Sequence, residues 1–445
     1  MPKNCYQLHS MEKARRHERI MIRNEKRQGY KKTKVGWIPD DWDCVPFATI
    51  FDLTMVSLEP SPSVKYREIG VRSHGKGIFH KPPVTGESLG DKRVFHCQPG
   101  TLVFNIVFAW EQAVAVISES ERGFIASHRF PMFKGRKNQA SEAYYLLFFK
   151  TRRGKEQLTI ASPGGAGRNK TLGQADLEVL PVPHPPFSEQ IAIAELLACW
   201  DKAIQTLTLK TDNKRLTNKG LSKKLLTGQI RLPGYSTKWK HVKLCEVASV
   251  NDHVLEQHTD EDCEFYYIDL ACVDRGHVSL PTGKIQFKNA PSRARRKFKK
   301  TDVLMATVRP NLLGHCYVTF DAEDKICSTG FAVVSERPGV LDNRFFYAQL
   351  FSEKLNTDIQ TLISGSSYPA LNSTDVENLA FLLPPLEEQR AIAAVLSASD
   401  SEIEALDRRL KLLKDQKKFL LNNLVTGTIR LPQFCNHGKH RKARK

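Results

Sequence analysis

Between Ile403 and Leu424 the apolar residues recur at alternating spacings of three and four: Ile403, Leu406, Leu410, Leu413, Leu420 and Leu424, with Lys417 filling one slot. Such a period predicts a helix with a coiled-coil seam. Asp400 stands where an N-cap is expected and Gly427 where a left-handed C-cap favours glycine, so the predicted helix has about 27 residues and a length of about 40 Å. The same seam read 199 residues earlier holds Ile204, Leu207, Thr211, Lys214, Asn218, Leu221 and Leu225, apolar at both ends and polar in the middle. Polar seam residues make a poor homodimer zipper but fix register between antiparallel partners. The two helices are therefore expected to pack on each other rather than to lie separately on their own domains.

Upstream of each helix the pattern changes. Thr101 to Phe108, Ala113 to Ser118 and Arg129 to Lys134 are short runs rich in Val, Ile and Phe, bounded by turn residues, and predict strands. Ser141 followed by Glu142 predicts the start of a helix. The plan recurs with Asp302 to Pro310, Gly314 to Phe320 and Ile326 to Ser335 as strands and with Asp342 opening a helix. Each globular unit is thus mixed α and β.

The recurrence is an internal repeat: Pro185 to Pro233 aligns without a gap onto Pro384 to Pro432, with 20 of the 49 paired positions identical. The expected fold class is α+β, two mixed α/β domains in tandem repeat, each followed by a long helix, the helices pairing as an antiparallel coiled coil. The expected boundaries are a basic arm at 1–35, domain one at 36–182, helical region one at 183–233, domain two at 234–382, helical region two at 383–432 and a basic tail at 433–445.

Composition narrows the function. The chain carries 67 Lys and Arg against 48 Asp and Glu, a net charge of +19, which favours a polyanionic partner, nucleic acid above all. No apolar run approaches the roughly 20 residues that span a bilayer. The first 34 residues hold eleven Lys or Arg against three Glu and lack a compact apolar core, so no secretory signal is expected and a cytoplasmic location is. Ten cysteines without a Cys-x-x-Cys pair predict buried thiols, not zinc ligands or disulfides.

Catalytic motifs are weak. His184-Pro185-Pro186-Phe187 is a poor version of an adenine-gripping loop, since that chemistry needs an amide or carboxylate where His184 stands. Asp302 with Glu323-Asp324-Lys325 reads better as a strand end and a polar turn than as a magnesium site. Ser162 to Lys170 is glycine-rich but lacks the Gly-Lys-Ser/Thr ending of a phosphate loop. No catalytic residue, metal ligand or cofactor is expected.

Candidate nucleic-acid contacts are clearer. Arg293, Arg295, Arg296, Lys297, Lys299 and Lys300 put six cations in nine residues, expected as a loop. Arginine forks suit guanine edges and phosphates, while lysine acts as a point charge. Thr307, Arg309 and Asn311 gather a hydroxyl, a guanidinium and an amide at a strand end. In the first half Arg72, Ser73, His74, Asn105, Arg129, Arg168, Asn169 and Lys170 are comparable, and Tyr368 lies in the second-half counterpart of the glycine-rich loop.

Two globular units, two long helices and the paired blocks Pro185-Pro186-Phe187-Ser188-Glu189-Gln190 and Pro384-Pro385-Leu386-Glu387-Glu388-Gln389 make the chain resemble the specificity subunits of type I restriction-modification systems. Thr426-Gly427-Thr428-Ile429-Arg430-Leu431 and its first-half equivalent add to the likeness. The resemblance implies a non-catalytic subunit that recognises a bipartite double-stranded DNA target. It also implies partners, adenine methyltransferase subunits and motor-nuclease restriction subunits, docked by the helical regions. Glu189, Gln190, Ile193, Leu197, Glu388, Gln389, Ile392 and Leu396 are the residues expected to support that docking. The other readings are a stand-alone nucleic-acid-modifying enzyme and a basic protein that binds DNA without sequence preference.

Overall fold

The computed structural model describes residues 28–165, 170–363 and 370–435. The chain divides into two compact units, neither contiguous in sequence: the first joins residues up to Thr206 with those from Leu410 onward, and the second runs from Leu207 to Arg409. Each division falls inside a long helix. The first long helix is Phe187–Leu226 and the second Leu386–Leu424.

In the first unit a four-stranded antiparallel sheet has the order Val114–Val116, Leu102–Phe104, Met132–Gly135, Phe51–Leu53. A three-stranded sheet of Ile125–Ser127, Val94–His96 and Val56–Leu58 lies beside it in the chain order. The helix Glu142–Lys150 begins where expected, because the Ser141 hydroxyl accepts from the Tyr144 amide and Glu142 suits the positive end of the dipole. It buries Tyr144, Tyr145, Phe148 and Phe149 completely, one face of a helical period, against Trp42, Phe47 and Phe104. Each such ring contributes about 1.5–3 kcal/mol of burial. Leu424 and Val425, from the far end of the chain, are part of this same core.

The second unit repeats the main sheet of the first. Its sheet runs Cys316–Tyr317, Val303–Ala306, Phe331–Glu336, Ala248–Val250, the order of the first unit. Asp342 caps the helix Asn343–Gln349 through its side chain, and Phe345 and Phe346 are buried below it. A second sheet orders Ile285–Gln286, Glu264–Ile268, Lys325–Ser328 and Ala294–Lys297, its middle pair parallel. Leu225 and Leu226, the end of the first long helix, lie in this unit's core.

Within each unit the two helix segments pair antiparallel. In the first, the Lys417 ammonium reaches the Asp201 carboxylate. In the second, Asn218 Nδ2 donates to Asp400 at 2.7 Å, Lys214 meets Glu402 at 2.7 Å and Arg215 meets Asp407 at 2.6 Å. The polar centre of the first helix thus faces acids on the second, which sets the register. The expected class, mixed domains in tandem with paired long helices, is the observed one.

Several details differ. The second helix has 39 residues and begins at Leu386, with Asp400 inside it. Nothing between Pro385 and Gly427 breaks a helix, so the chain continues through Asp400 at about 1.5 Å per residue, to a length of about 58 Å. The expected strand Ile326 to Ser335 is two strands, because Ser328 Oγ accepts from the Gly330 amide and turns the chain. Thr101 to Phe108 shortens to Leu102–Phe104, where Asn105 Oδ1 takes the Val107 amide. Tyr30–Thr33, expected in the basic arm, pairs with Gly36–Pro39 as a hairpin. Of the nine described cysteines, all free, Cys199, Cys245 and Cys435 are exposed rather than buried. None of the described helices is long and apolar enough to cross a membrane.

Candidate nucleic-acid interface and the latches behind it

Each unit is closed by one buried carboxylate. Glu189 has no exposed surface, yet its oxygens accept from Trp42 Nε1 at 3.0 Å and from Arg430 at 2.9 and 2.6 Å. Arg430 also holds Asp41 at 2.8 Å. Burial alone opposes the Arg430 charge, but the bonds to the two carboxylates overcome it and raise its pKa. In the second unit Glu388, equally buried, accepts from Arg231 at 2.6 Å on both oxygens and from Trp239 Nε1 at 3.0 Å. Arg231 stacks over the Trp239 ring as well, 5.3 Å from its centroid.

The glutamines that follow do equivalent work. Gln190 accepts from the Ser141 amide and donates to the carbonyls of Gln139 and Pro185. Gln389 accepts from the Asp342 amide and donates to Val340 and Pro384. Ile193, Leu197, Ile392 and Leu396 are at most 4 % exposed. The eight residues expected to support docking are therefore all interior to their own units, and the expectation is corrected: they fasten each helix start to its domain and present no surface to a partner.

In the first unit the structure gathers the proposed DNA-contacting residues. Arg72, Ser73 and His74 form the tip of the hairpin Ile69–Val71/Ile78–His80, and the amides of His74 and Gly75 bond to the carbonyls of Glu111 and Gln112 at 2.6 and 2.9 Å. The turn so gripped, Ala109–Glu111, carries Trp110, over whose ring Lys170 sits at 5.6 Å. Asn105 opens the same turn, and the Ile106 amide binds the Arg129 carbonyl. Arg72, His74 and Arg129 are exposed, and Arg72 rests on Phe79 at 5.0 Å. Arg168 and Asn169 lie outside the described residues, as does Tyr368.

The second unit places its candidates less evenly. Residues 294–297 form a strand, not a loop. Arg295 lies over Phe287 at 4.7 Å and Arg296 is half-buried, its pKa lowered by that burial, with Nη1 lacking a partner among the described residues. Arg293, Lys297, Lys299 and Lys300 remain exposed. Thr307 is buried with its hydroxyl donating to the Gly330 carbonyl at 2.9 Å, so it is a clamp rather than a contact. Arg309 and Asn311 are exposed on the turn Pro310–Leu312, which both Arg309 and Leu313 enter and leave in the left-handed conformation.

That turn borders a cleft of about 560 Å³ lined by Leu270, Ala271, Val273, Asp274, Arg275, Ala306, Val308, Arg309, Leu312 and Gly314. Arg275 and Asp274 come from the hairpin Val273–Asp274/His277–Val278, whose Gly276 amide bonds to the His315 carbonyl at 2.9 Å. This is the counterpart of the first unit's hairpin bound to Glu111 and Gln112. Sequence reasoning missed Arg275 and Trp110. The signal for Arg275 was its neighbour, an Arg-Gly pair between two short strand patterns, which is the mark of a tight hairpin.

Comparison with known proteins agrees with the architecture. The sequence model of the type I restriction modification DNA specificity domain matches residues 237–414. The MjaVIII type I restriction enzyme specificity subunit of Methanocaldococcus jannaschii is 23 % identical over 451 residues, covering 93 % of this chain and 98 % of its own length. A crystal structure of the HsdS subunit from Thermoanaerobacter tengcongensis superposes with a TM-score of 0.52 at 19 % identity, over 88 % of this chain and 98 % of that one. A chain from a study of complex assembly and conformational transition in a type I restriction-modification system gives a TM-score of 0.54 at 18 % identity, over 88 % and 99 %. With its duplicated sheets, its paired helices and these likenesses, the chain is similar over most of its length to type I restriction-modification specificity subunits and shares their fold, and residues 237–414 match the DNA specificity domain of that family.

Proposed function

We propose that this chain is the non-catalytic, DNA-reading member of a type I restriction-modification complex, each unit recognising one half of a split double-stranded target. The observation that carries this reading is the contrast at one equivalent place. On sheets of identical strand order, the first unit presents Trp110, His74 and Lys170, and the second presents Arg275, Arg309 and Asp274. A duplicated scaffold with different side chains at the same hairpin and turn suits two half-sites of different sequence. The net charge of +19 supplies the sequence-independent attraction to phosphates. The chain works in the cytoplasm, where methyltransferase and restriction subunits join it. With the eight interior residues excluded, docking falls to exposed helix positions such as Leu209 and Leu216, one heptad apart on the first long helix.

Co-expression with type I adenine methyltransferase subunits followed by methylation mapping tests the proposal. Adenine methylation at a target in two parts separated by unspecified bases is expected, and none is expected from the purified chain with S-adenosylmethionine. A contiguous target, or methylation by the chain alone, overturns it.

A further inference from the structure

We propose that Arg275 is a specificity-determining residue of the second unit, reading a guanine of its half-site. The inference rests on the DNA-reading function above and goes beyond it by naming the residue and the base.

The hairpin that carries Arg275 pairs Asp274 with His277, leaving a loop of two residues, Arg275 and Gly276. Their φ angles are +42° and +88°. Two positive values mark a type I′ turn, whose first position favours Asn, Asp or Gly. Arginine gains nothing there from backbone preference. Nor does it gain an internal contact: no hydrogen bond or ion pair to its side chain occurs among the described residues. The turn itself is firmly held. The Gly276 amide bonds to His315, and a Cβ on Gly276 would meet the Tyr347 hydroxyl at 2.3 Å. A strained, exposed and unpartnered guanidinium on a pinned turn is a group whose partner lies outside the chain.

The surroundings specify that partner. Arg275 shares its cleft with Arg309, which also stands on left-handed backbone, and with the exposed Asp274. An arginine fork matches the O6 and N7 acceptors of guanine in the major groove, and a carboxylate accepts from the N4 amino group of the paired cytosine. Donor and acceptor on adjacent residues, 274 and 275, therefore suit one G·C pair. The exposed lysines of the strand-end run, Lys297, Lys299 and Lys300, are suited to phosphates instead.

The test uses the full chain assembled with its methyltransferase subunits. Arg275→Asn substitutes the residue that the turn favours, so folding is retained and the thermal midpoint is equal or higher. Arg275→Lys keeps the charge and loses the fork. Both variants are expected to relax one guanine position in one half-site, lowering discrimination there by about tenfold to a hundredfold. The other half-site and the slope of log affinity against log salt should stay as in the wild type. Uniform weakening across all sequences with a slope smaller by about 0.9 makes Arg275 a phosphate contact and overturns the proposal. Unaltered discrimination in either variant overturns it as well. A wild-type complex without any split preference is a separate result, and it overturns the underlying function along with this assignment.

Discussion

Removing the Arg430 guanidinium strands the Glu189 carboxylate, which has no exposed surface and would keep, among the described residues, the Trp42 indole as its one side-chain donor. An uncompensated buried charge costs about 3 kcal/mol or more, so Arg430→Ala should destabilise the first unit by that amount. Hydrogen exchange should show lost protection around Trp42 and Tyr144 with the amides of Phe345 and Phe346 unaffected. Glu189→Lys is expected to act on folding in the same place, not on assembly. Residues whose bonds are local were legible in the sequence: Ser141 and Asp342 cap helices through amides two or three positions away. Glu189 was not, because its partner lies 241 positions distant and a glutamate after two prolines resembles a solvent-facing helix start. The recurrence of Trp, Glu and Arg in both halves was the available sign, since three paired recurrences of groups that bond one another imply one repeated contact.

Both long helices end in a glycine that accepts the left-handed conformation, Gly228 at φ +72° and Gly427 at φ +68°. Alanine at such an angle costs about 1 kcal/mol. The two sites differ in space. A Cβ at 228 would come nearest the Trp239 ring at an ordinary 3.4 Å, whereas one at 427 would meet Pro39 Cδ at 2.4 Å and Trp42 at 3.1 Å. Gly228→Ala is therefore expected to lower stability by about 1 kcal/mol and Gly427→Ala by about 2–4 kcal/mol, as read from urea midpoints. The same helices show what periodicity can deliver. Seam spacing found the helices and their C-terminal glycines, which depend on neighbours within a turn or two. It misplaced the start of the second, because an aspartate in a seam gap resembles a cap until its Asn218 partner is seen. Strand ends were overextended for a similar reason: Arg309 leaves the β region and Asn105 Oδ1 accepts from the Val107 amide, and neither choice follows from hydropathy.

Two buried groups, His315 in the second unit and Glu121 in the first, should lose their contributions to stability over different pH ranges. His315, fully buried, accepts from the Ala306 amide through Nδ1, and burial lowers its pKa from the usual 6.5 to about 4. Its neutral form is the folded one, so its contribution is complete above pH 6.5 and declines as the pH falls toward 4, by about 3 kcal/mol in all. In the first unit burial by itself raises the Glu121 pKa, but hydrogen bonds from Ser118, His80 and Ser120 overcome it and bring the carboxyl to about 2. That contribution is intact above pH 4.5 and declines only below it. At pH 5 the His315 contribution is thus expected to be partly lost while that of Glu121 is intact, and His315→Gln, which keeps an acceptor, should remove most of the His315 slope. The split composition of the first unit also orders events in time. The Tyr30 hydroxyl binds the carbonyl of Gly427, 397 residues later. At roughly 5–20 residues per second a ribosome needs roughly 20–80 s to span that interval. The half of the protein that leaves the ribosome first is consequently the last to be completed, holding its aromatic interior unsealed while the whole of the second unit, from Leu207 to Arg409, is synthesised.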